Sequence, residues 1–236
     1  MISNSTMAGE PYLDYPKHEI RDFLGEKQVT ALFIPYAAVT FSFDQYVEKV
    51  QERFSEIGHR ITGIHTFNDP IAAVHGAEAI VVGGGNTWQL VRMLHERHLM
   101  GPIREKIYGG APYIGWSAGA NVACPTLCTT NDMPVTDPMS FETVNLVPFQ
   151  INPHYLDANP DGHAGETREQ RILEFLEINP QVTVVGLREG TMLRRENEKL
   201  NLKGNRMARI FRKGHDPLEL NQSDDLSFLL HPDRSR

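Results

Sequence analysis

The pentapeptide 115–119, Gly-Trp-Ser-Ala-Gly, carries the clearest chemical signal in the sequence. It fits the pattern G-x-S-x-G, in which a serine sits on a sharp turn between a strand and a helix. Glycines two residues to either side lack the Cβ atoms that would collide there. The helix N-terminus behind the serine favours developing negative charge. The pattern predicts a nucleophile at Ser117, the alternative being a tight packing turn that contains a serine by chance.

A serine nucleophile needs a base, and the chain has ten histidines. His154 is favoured because it lies in a loop-like stretch, 150–155, directly after Pro153, which restricts the backbone before the imidazole. His163 is the alternative, although glycines at 162 and 165 predict a mobile surrounding.

The base in turn needs a carboxylate that fixes its tautomer. Asp132 lies in the string TTNDMP after the predicted turn, and Glu189 lies in the string LREG just past a predicted strand. Sites of α/β proteins assemble at the carboxyl ends of parallel strands, which suits both positions. Spacing alone does not choose between Asp132 and Glu189.

An oxyanion intermediate needs two N–H donors. The residue after the nucleophile, Ala118, is predicted to supply one of them. The glycine run 83–85 is predicted to supply the second through Gly85, the glycine nearest the following helix. The same run partly matches a dinucleotide-binding fingerprint, but Trp88 stands where that motif needs a small residue, so nucleotide binding is disfavoured.

Strand-like and helix-like patterns alternate along the chain and must position these residues. Short apolar runs predict strands at 29–36, 61–65, 79–82, 112–116 and 182–187. Apolar positions at helical spacing, with capping signals, predict helices at 42–57, 69–74 and 166–178. A further helix is predicted to begin after Asn86 and to end at Gly101-Pro102. Residues 198–213 are predicted to form a hairpin with its turn at Gly204-Asn205.

This alternation predicts an α/β protein with a mostly parallel sheet covered by helices on both sides. No linker-like stretch divides the sequence, so residues 1–236 are expected to form one domain. The last ~25 residues are expected to be a hairpin followed by a mobile tail.

Composition excludes several classes of function. Lys plus Arg number 23 and Asp plus Glu 30, a net charge of −7, which disfavours nucleic acids and anionic membranes as partners. Two cysteines make neither a disulfide framework nor a zinc site, and neither a metal nor a cofactor is expected. No signal peptide or membrane span is visible, so a cytoplasmic protein is expected.

Five strings together resemble the peptidase E family of α-aspartyl dipeptidases. The strings are VVGGGNT, YIGWSAGAN, TTNDMP, INPH and GETREQR, and the resemblance runs from about residue 33 to residue 190. It implies a three-layer α/β/α fold similar to class I glutamine amidotransferase domains, a flavodoxin-like architecture. It also implies hydrolysis of dipeptides with an N-terminal L-aspartate, in the cytoplasm and without metal.

The resemblance places the family's nucleophile on Ser117 and its histidine on His154. The third member falls on Asp132 or on Glu189, so the ambiguity remains. This chain reads LREG where the family pattern has LPEG, with Arg188 in place of proline. That departure weakens the claim of Glu189, and Asp132 is therefore the favoured orienting carboxylate.

An aspartate-specific site needs a cation. Arg168 and Arg171 lie three residues apart on one predicted helix face. Arg168 is slightly favoured as the cation that binds the aspartate, and the alternative is that both arginines form surface ion pairs. Asn86, Thr130 and Asn131 are candidates for holding the substrate's α-amino group. The expected partner is a small dipeptide, and the chain is expected to be a monomer or a homodimer. The alternatives are a related serine exopeptidase or esterase of the cyanophycinase type, or a non-catalytic binding module.

Overall fold

Strands and helices alternate through most of the protein, and a computed structural model describes residues 1–159, 162 and 164–231. The first half contains α1 (Lys17–Leu24), β1 (Thr30–Ile34), α2 (Phe43–Glu56), β2 (Arg60–Gly63), α3 (Pro70–Gly76), β3 (Ile80–Val82), α4 (Thr87–Glu96), α5 (Met100–Tyr108), β4 (Tyr113–Gly115) and α6 (Ala118–Val122). The second half contains β5 (Gln150–Tyr155), α7 (Arg168–Ile178), β6 (Thr183–Arg188), β7 (Thr191–Glu196), β8 (Lys199–Gly204), β9 (Ala208–Arg212) and β10 (Leu218–Leu220).

Parallel pairing dominates the sheet that precedes the candidate nucleophile. Its four strands follow the order β2-β1-β3-β4, and all three of their pairings are parallel. A second sheet has the order β10-β9-β6-β5, in which β5 and β6 are parallel and the other pairings are antiparallel. β7 and β8 form a separate antiparallel pair. Ile2 bridges Trp116 after β4 and Met192 on β7.

Helices cover both faces of the first sheet, as predicted. Leu32 and Ile34 of β1 belong to one core cluster, together with buried residues of α4, α5 and α6. Ala31 and Phe33 belong to a second cluster, together with buried residues of α1 and α2. Because successive strand residues point to opposite faces, the two clusters form the two interfaces of a three-layer α/β/α arrangement. None of the helices in the described ranges has the length and apolarity that a membrane span requires.

Short-range capping signals predicted the helix starts well. The Ser42 side chain and the Gln45 side chain close a capping box at the start of α2. Asn86 caps α4 by accepting a hydrogen bond from the Gln89 N–H. Thr167 caps α7, so that helix begins two residues later than predicted.

Gly101-Pro102 does not stop a helix, contrary to the prediction. The helix before it, α4, ends at Glu96, and the pair lies in the first turn of α5. Proline is tolerated in a first turn because the N–H groups there have no acceptor within the helix.

Two further predictions, for hairpin 198–213 and loop 150–155, are wrong because strand pairing is not local. Gly204-Asn205 joins β8, which pairs with β7, to β9, which pairs with β6. Residues 150–155 form the buried strand β5.

The C-terminal segment, whose mobility stays a prediction, is described up to residue 231. The hairpin β9–β10 forms, and Leu226 and Leu229 after it pack into a core cluster with β8. Residues 232–236 lie outside the described part of the chain.

The close approach of α6 to β3 generates a stability prediction. A Cβ on Gly119 would lie 2.3 Å from the Val82 carbonyl oxygen, which belongs to backbone and cannot swing away. We expect Gly119→Ala to lower the free energy of unfolding by about 1–3 kcal/mol, measured by urea denaturation. Gly101→Ala is the matched control, since a Cβ there meets nothing within 4 Å. Equal stability of the two variants would contradict the prediction.

Candidate active site

Ser117 stands in a backbone conformation that a serine rarely adopts. It follows β4 and precedes α6, with φ +53° and ψ −112°. A Cβ on Gly115 would lie 2.5 Å from the Gly119 carbonyl oxygen, so the turn has no space for a side chain there. The glycines of the pentapeptide therefore have the steric role that the sequence predicts.

Ser117, His154 and Glu189 form one continuous hydrogen-bonded chain. Ser117 Oγ lies 3.0 Å from His154 Nε2, and His154 Nδ1 lies 2.7 Å from Glu189 Oε1. An ionised carboxylate can only accept, so His154 donates from Nδ1. In the neutral imidazole, Nε2 is then the acceptor and the serine hydroxyl donates to it. The His154 and Glu189 side chains are each 39% exposed, so solvent and small molecules can reach them.

The pairing of β5 with β6 brings His154 and Glu189 together. Their register shifts between Pro153 and Tyr155, so His154 sits on an irregularity of the strand, with φ +55°. Glu189 comes directly after the end of β6. Neighbouring parallel strands end at the same edge of a sheet, which places the carboxylate beside the imidazole.

Asp132, the favoured orienting carboxylate, occupies a different place. Its Oδ2 accepts hydrogen bonds from the Thr87 N–H at 2.8 Å, the Thr87 hydroxyl at 2.6 Å and the Thr130 hydroxyl at 3.1 Å. The carboxylate thus stabilises the N-terminus of α4, where backbone N–H groups lack partners within the helix. The position beside His154 belongs to Glu189, so the preference for Asp132 is corrected.

Asn86, Thr130 and Asn131 also hold the loop that carries Asp132. The Asn86 amide donates to the Met133 carbonyl, and its oxygen caps α4. The Asn131 amide donates to the Pro153 carbonyl at 2.6 Å, and its oxygen accepts from Asn152. These bonds fasten the loop to α4 and β5, and a contact of these side chains with an α-amino group stays a prediction.

The glycine run 83–85 lies against the nucleophile through Gly84, and the oxyanion role of Gly85 stays a prediction. A Cβ on Gly84 would lie 3.0 Å from Ser117 Cβ, so Gly84 touches the serine directly, a contact that sequence reasoning did not assign. The Tyr46 hydroxyl donates to the Gly84 carbonyl, and burial raises the pKa of Tyr46 to about 12, so it stays a donor. The peptide bond between Gly84 and Gly85 is trans, so the Gly85 N–H points opposite to the Gly84 carbonyl and away from Tyr46.

Ala118 is the other predicted oxyanion donor. It is the first residue of α6, and it is buried directly after the serine. A backbone N–H in the first turn of a helix has no partner within the helix. Among the described residues this N–H has no hydrogen-bond partner, so Ala118 stays a candidate oxyanion donor.

Arg168 and Arg171 lie on α7 in different environments. Arg171 is an exposed residue 3.7 Å from Glu166, a surface ion pair. Arg168 is half-buried, and among the described residues it has no hydrogen bond or ion pair. Burial, together with nearby Arg171, lowers the pKa of the Arg168 guanidinium, while the charge of Asp132 opposes the shift. Arg168 therefore lies within electrostatic range of Asp132, the carboxylate that is bonded to the start of α4.

Arg188, which replaces the expected proline, does not disturb Glu189. Its guanidinium binds Glu219 of β10 through both terminal nitrogens, at 2.8 and 2.9 Å, and also binds Asp157 after β5. Arg188 holds the pKa of both carboxyl groups below their usual values. The residue before Glu189 is thus anchored by an ion-pair network instead of by a proline ring.

No group of three or more His, Cys, Asp or Glu side chains in the described ranges could hold a metal ion. His163, the alternative base, lies outside those ranges.

The sequence is similar to known proteins over nearly its whole length. The family model of Peptidase family S51 matches residues 1–203. The chain belongs to this family. A Peptidase E from Nostoc sp. is 50% identical over 230 residues, covering 98% of this chain and 95% of that protein. A Peptidase E from Salmonella typhimurium is 46% identical over 220 residues, covering 93% and 96%. This S51 member is therefore a peptidase, a hydrolase.

A solved structure supports the fold of this S51 peptidase. A peptidase from an acI-B1 Actinobacterium matches with a TM-score of 0.69, over 96% of this chain and 95% of that chain. The two sequences are only 18% identical, so the likeness concerns the fold.

Proposed function

We propose that this S51 peptidase hydrolyses dipeptides with an N-terminal L-aspartate through an acyl-enzyme on Ser117. The observation that carries the proposal is the hydrogen-bonded chain from Ser117 through His154 to Glu189, a catalytic triad in which Ser117 stands on a nucleophile elbow. A serine, a base and an orienting carboxylate at these distances are the parts that acyl transfer needs.

The first half of the reaction forms the ester. Ser117 Oγ attacks the carbonyl carbon of the N-terminal aspartyl residue while His154 Nε2 takes the hydroxyl proton. Glu189 accepts a hydrogen bond from Nδ1 and stabilises the imidazolium that results. His154 then gives the proton to the leaving amine, and the C–N bond breaks.

Water completes the cycle. His154 Nε2 takes a proton from the water molecule, whose oxygen attacks the ester carbon. His154 then returns that proton to Ser117 Oγ as the ester C–O bond breaks, which releases aspartate and the free serine. In both halves the carbonyl oxygen becomes an oxyanion. The backbone N–H groups of Ala118 and Gly85 are proposed to bind it. Ala118 directly follows Ser117 in the chain, and Gly85 directly follows Gly84, which lies against Ser117. The N-terminus of α6 adds positive potential.

Arg168 is proposed to recognise the aspartate side chain. The Arg168 guanidinium is half-buried, and among the described residues no carboxylate contacts it. A bound substrate carboxylate would compensate for the water that the guanidinium has lost, which favours binding. Bidentate Arg–carboxylate bonding also discriminates against asparagine, whose amide offers a donor where an acceptor is needed.

A substrate panel with Ser117→Ala tests the activity. We expect the wild type to cleave α-Asp–Leu and not β-Asp–Arg, and Ser117→Ala to lose kcat by about 10⁴-fold or more with an unchanged fold. Product release is measured by chromatography and the fold by circular dichroism. Cleavage of β-Asp–Arg alone would assign a cyanophycinase-like activity instead. Near-normal turnover by Ser117→Ala would exclude the acyl-enzyme.

Glu189→Gln and Asp132→Asn separate the two carboxylates. Both changes keep the shape and remove the charge. We expect Glu189→Gln to reduce kcat by about 10³–10⁴-fold, because the amide no longer stabilises the imidazolium. Asp132→Asn should mainly lower the melting temperature, because it weakens the hydrogen bonds at the start of α4. A larger kcat loss in Asp132→Asn than in Glu189→Gln would reverse the assignment.

Arg168→Met and Arg171→Met form a matched pair on one helix. We expect Arg168→Met to lower kcat/KM for α-Asp–Leu by about 10–100-fold, the value of a charge-assisted hydrogen bond. Arg171→Met, which breaks a surface ion pair, should change it by less than about threefold. Steady-state kinetics and melting temperatures give the comparison, and equal kcat/KM for both variants would remove Arg168 from the substrate site.

A further inference from the structure

Residues 2–4 run between the strands that carry the three proposed catalytic residues. The Ile2 N–H donates to the Gly115 carbonyl at 2.8 Å, and the Ile2 carbonyl accepts from the Ser117 N–H at 3.0 Å. The Ser3 N–H donates to the Thr191 carbonyl at 3.0 Å. The segment therefore links the end of β4 to the first residue of β7.

The Ser3 side chain connects the two strands on which His154 and Glu189 depend. Its hydroxyl is fully buried, accepts a hydrogen bond from the His154 N–H at 2.9 Å and donates one to the Leu187 carbonyl at 2.7 Å. The shift of register takes His154 out of the regular ladder with β6, so its N–H needs another acceptor. Ser3 Oγ is that acceptor.

Asn4 holds the turn that follows Glu189. Its Oδ1 accepts from the Gly190 N–H at 2.9 Å and from the Tyr15 hydroxyl at 2.8 Å. Its amide donates to the Thr6 carbonyl at 2.8 Å, which fixes the orientation of the side chain. Asn4 is 1% exposed, so these bonds are shielded from water.

We propose that Ser3 and Asn4 are positioning residues of the active site, a role that rests on the proposed function of the triad. Residues 2–4 accept hydrogen bonds from the backbone N–H groups of Ser117 and His154. They also accept one from the N–H of Gly190, the residue after Glu189. Ser3 holds the backbone of His154, which is strained at φ +55°. Asn4 holds the peptide group that directly follows Glu189. Hydrogen bonds of this kind set the serine–imidazole–carboxylate distances to which proton transfer is sensitive.

Ser3→Ala and Asn4→Ala, compared with two controls, test the proposal. Ser5→Ala removes a hydroxyl that lies beside Thr6 and not beside a catalytic residue. Val50→Ala removes a fully buried side chain of α2 and lowers stability by ordinary core loss. For each variant we would measure the melting temperature, kcat and KM for α-Asp–Leu, and the rate at which a fluorophosphonate labels Ser117.

We expect Ser3→Ala and Asn4→Ala to lose kcat and labelling rate in parallel, by about 10–100-fold, with KM within about twofold. Both controls should keep kcat and labelling, although Val50→Ala melts earlier. A purely structural role would instead lower only the melting temperature of Ser3→Ala and Asn4→Ala, as in Val50→Ala, and that result would overturn the proposal.

The labelling rate separates this proposal from the proposed substrate, because a fluorophosphonate without an aspartyl group reports on the serine, its base and the oxyanion donors and not on aspartate recognition. If the wild type is labelled at Ser117 without cleaving α-Asp–Leu, the substrate fails, and slower labelling of Ser3→Ala still supports positioning. If the wild type is neither active nor labelled, both proposals fall.

Discussion

The structure depends on one backbone constraint, the strained turn at Ser117. A serine at φ +53° and ψ −112° carries a cost on the order of 1–3 kcal/mol, which the surrounding structure must offset. Two glycines let α6 approach β3 and β4 closely, and the Ile2 carbonyl holds the Ser117 N–H. His154 carries a similar strain at φ +55°, and Ser3 holds its N–H. Both strained residues are therefore fixed by hydrogen bonds from one segment distant from them in sequence.

Local signals were sufficient for the part of the site that is itself local. The pentapeptide 115–119 contains the whole steric argument for the turn, and Asn86 and Ser42 cap the helices that they were predicted to cap. The sequence does not predict the strand β5, because QINPHY contains a proline and three polar residues, a composition that is not typical of a buried strand. Its burial comes from pairing with β6, about 30 residues later, and no local pattern records that pairing.

The choice between Asp132 and Glu189 shows what kind of information was lacking. Asp132 lies in the loop after α6 and Glu189 directly follows β6, and sequence spacing does not distinguish between them. The strand register decides, because Glu189 follows the strand that pairs directly with the one carrying His154. Asp132 instead accepts hydrogen bonds from one backbone N–H and two hydroxyls at the start of α4. A carboxylate bound in this way can be important to the protein without touching the imidazole.

The net charge of −7 means that the proposed acidic substrate would have to be selected by short-range electrostatic interactions. At physiological salt, interactions between exposed charges are largely screened beyond about 8 Å, so the overall field neither attracts nor strongly excludes a small dipeptide. A partly buried cation is screened much less. Arg168 is half-buried beside Asp132 and Arg171, where burial and the second guanidinium disfavour its charged form. In the proposed substrate complex, an incoming carboxylate would offset that penalty, so selection of aspartate would depend on the local environment of Arg168 rather than on the charge of the whole molecule.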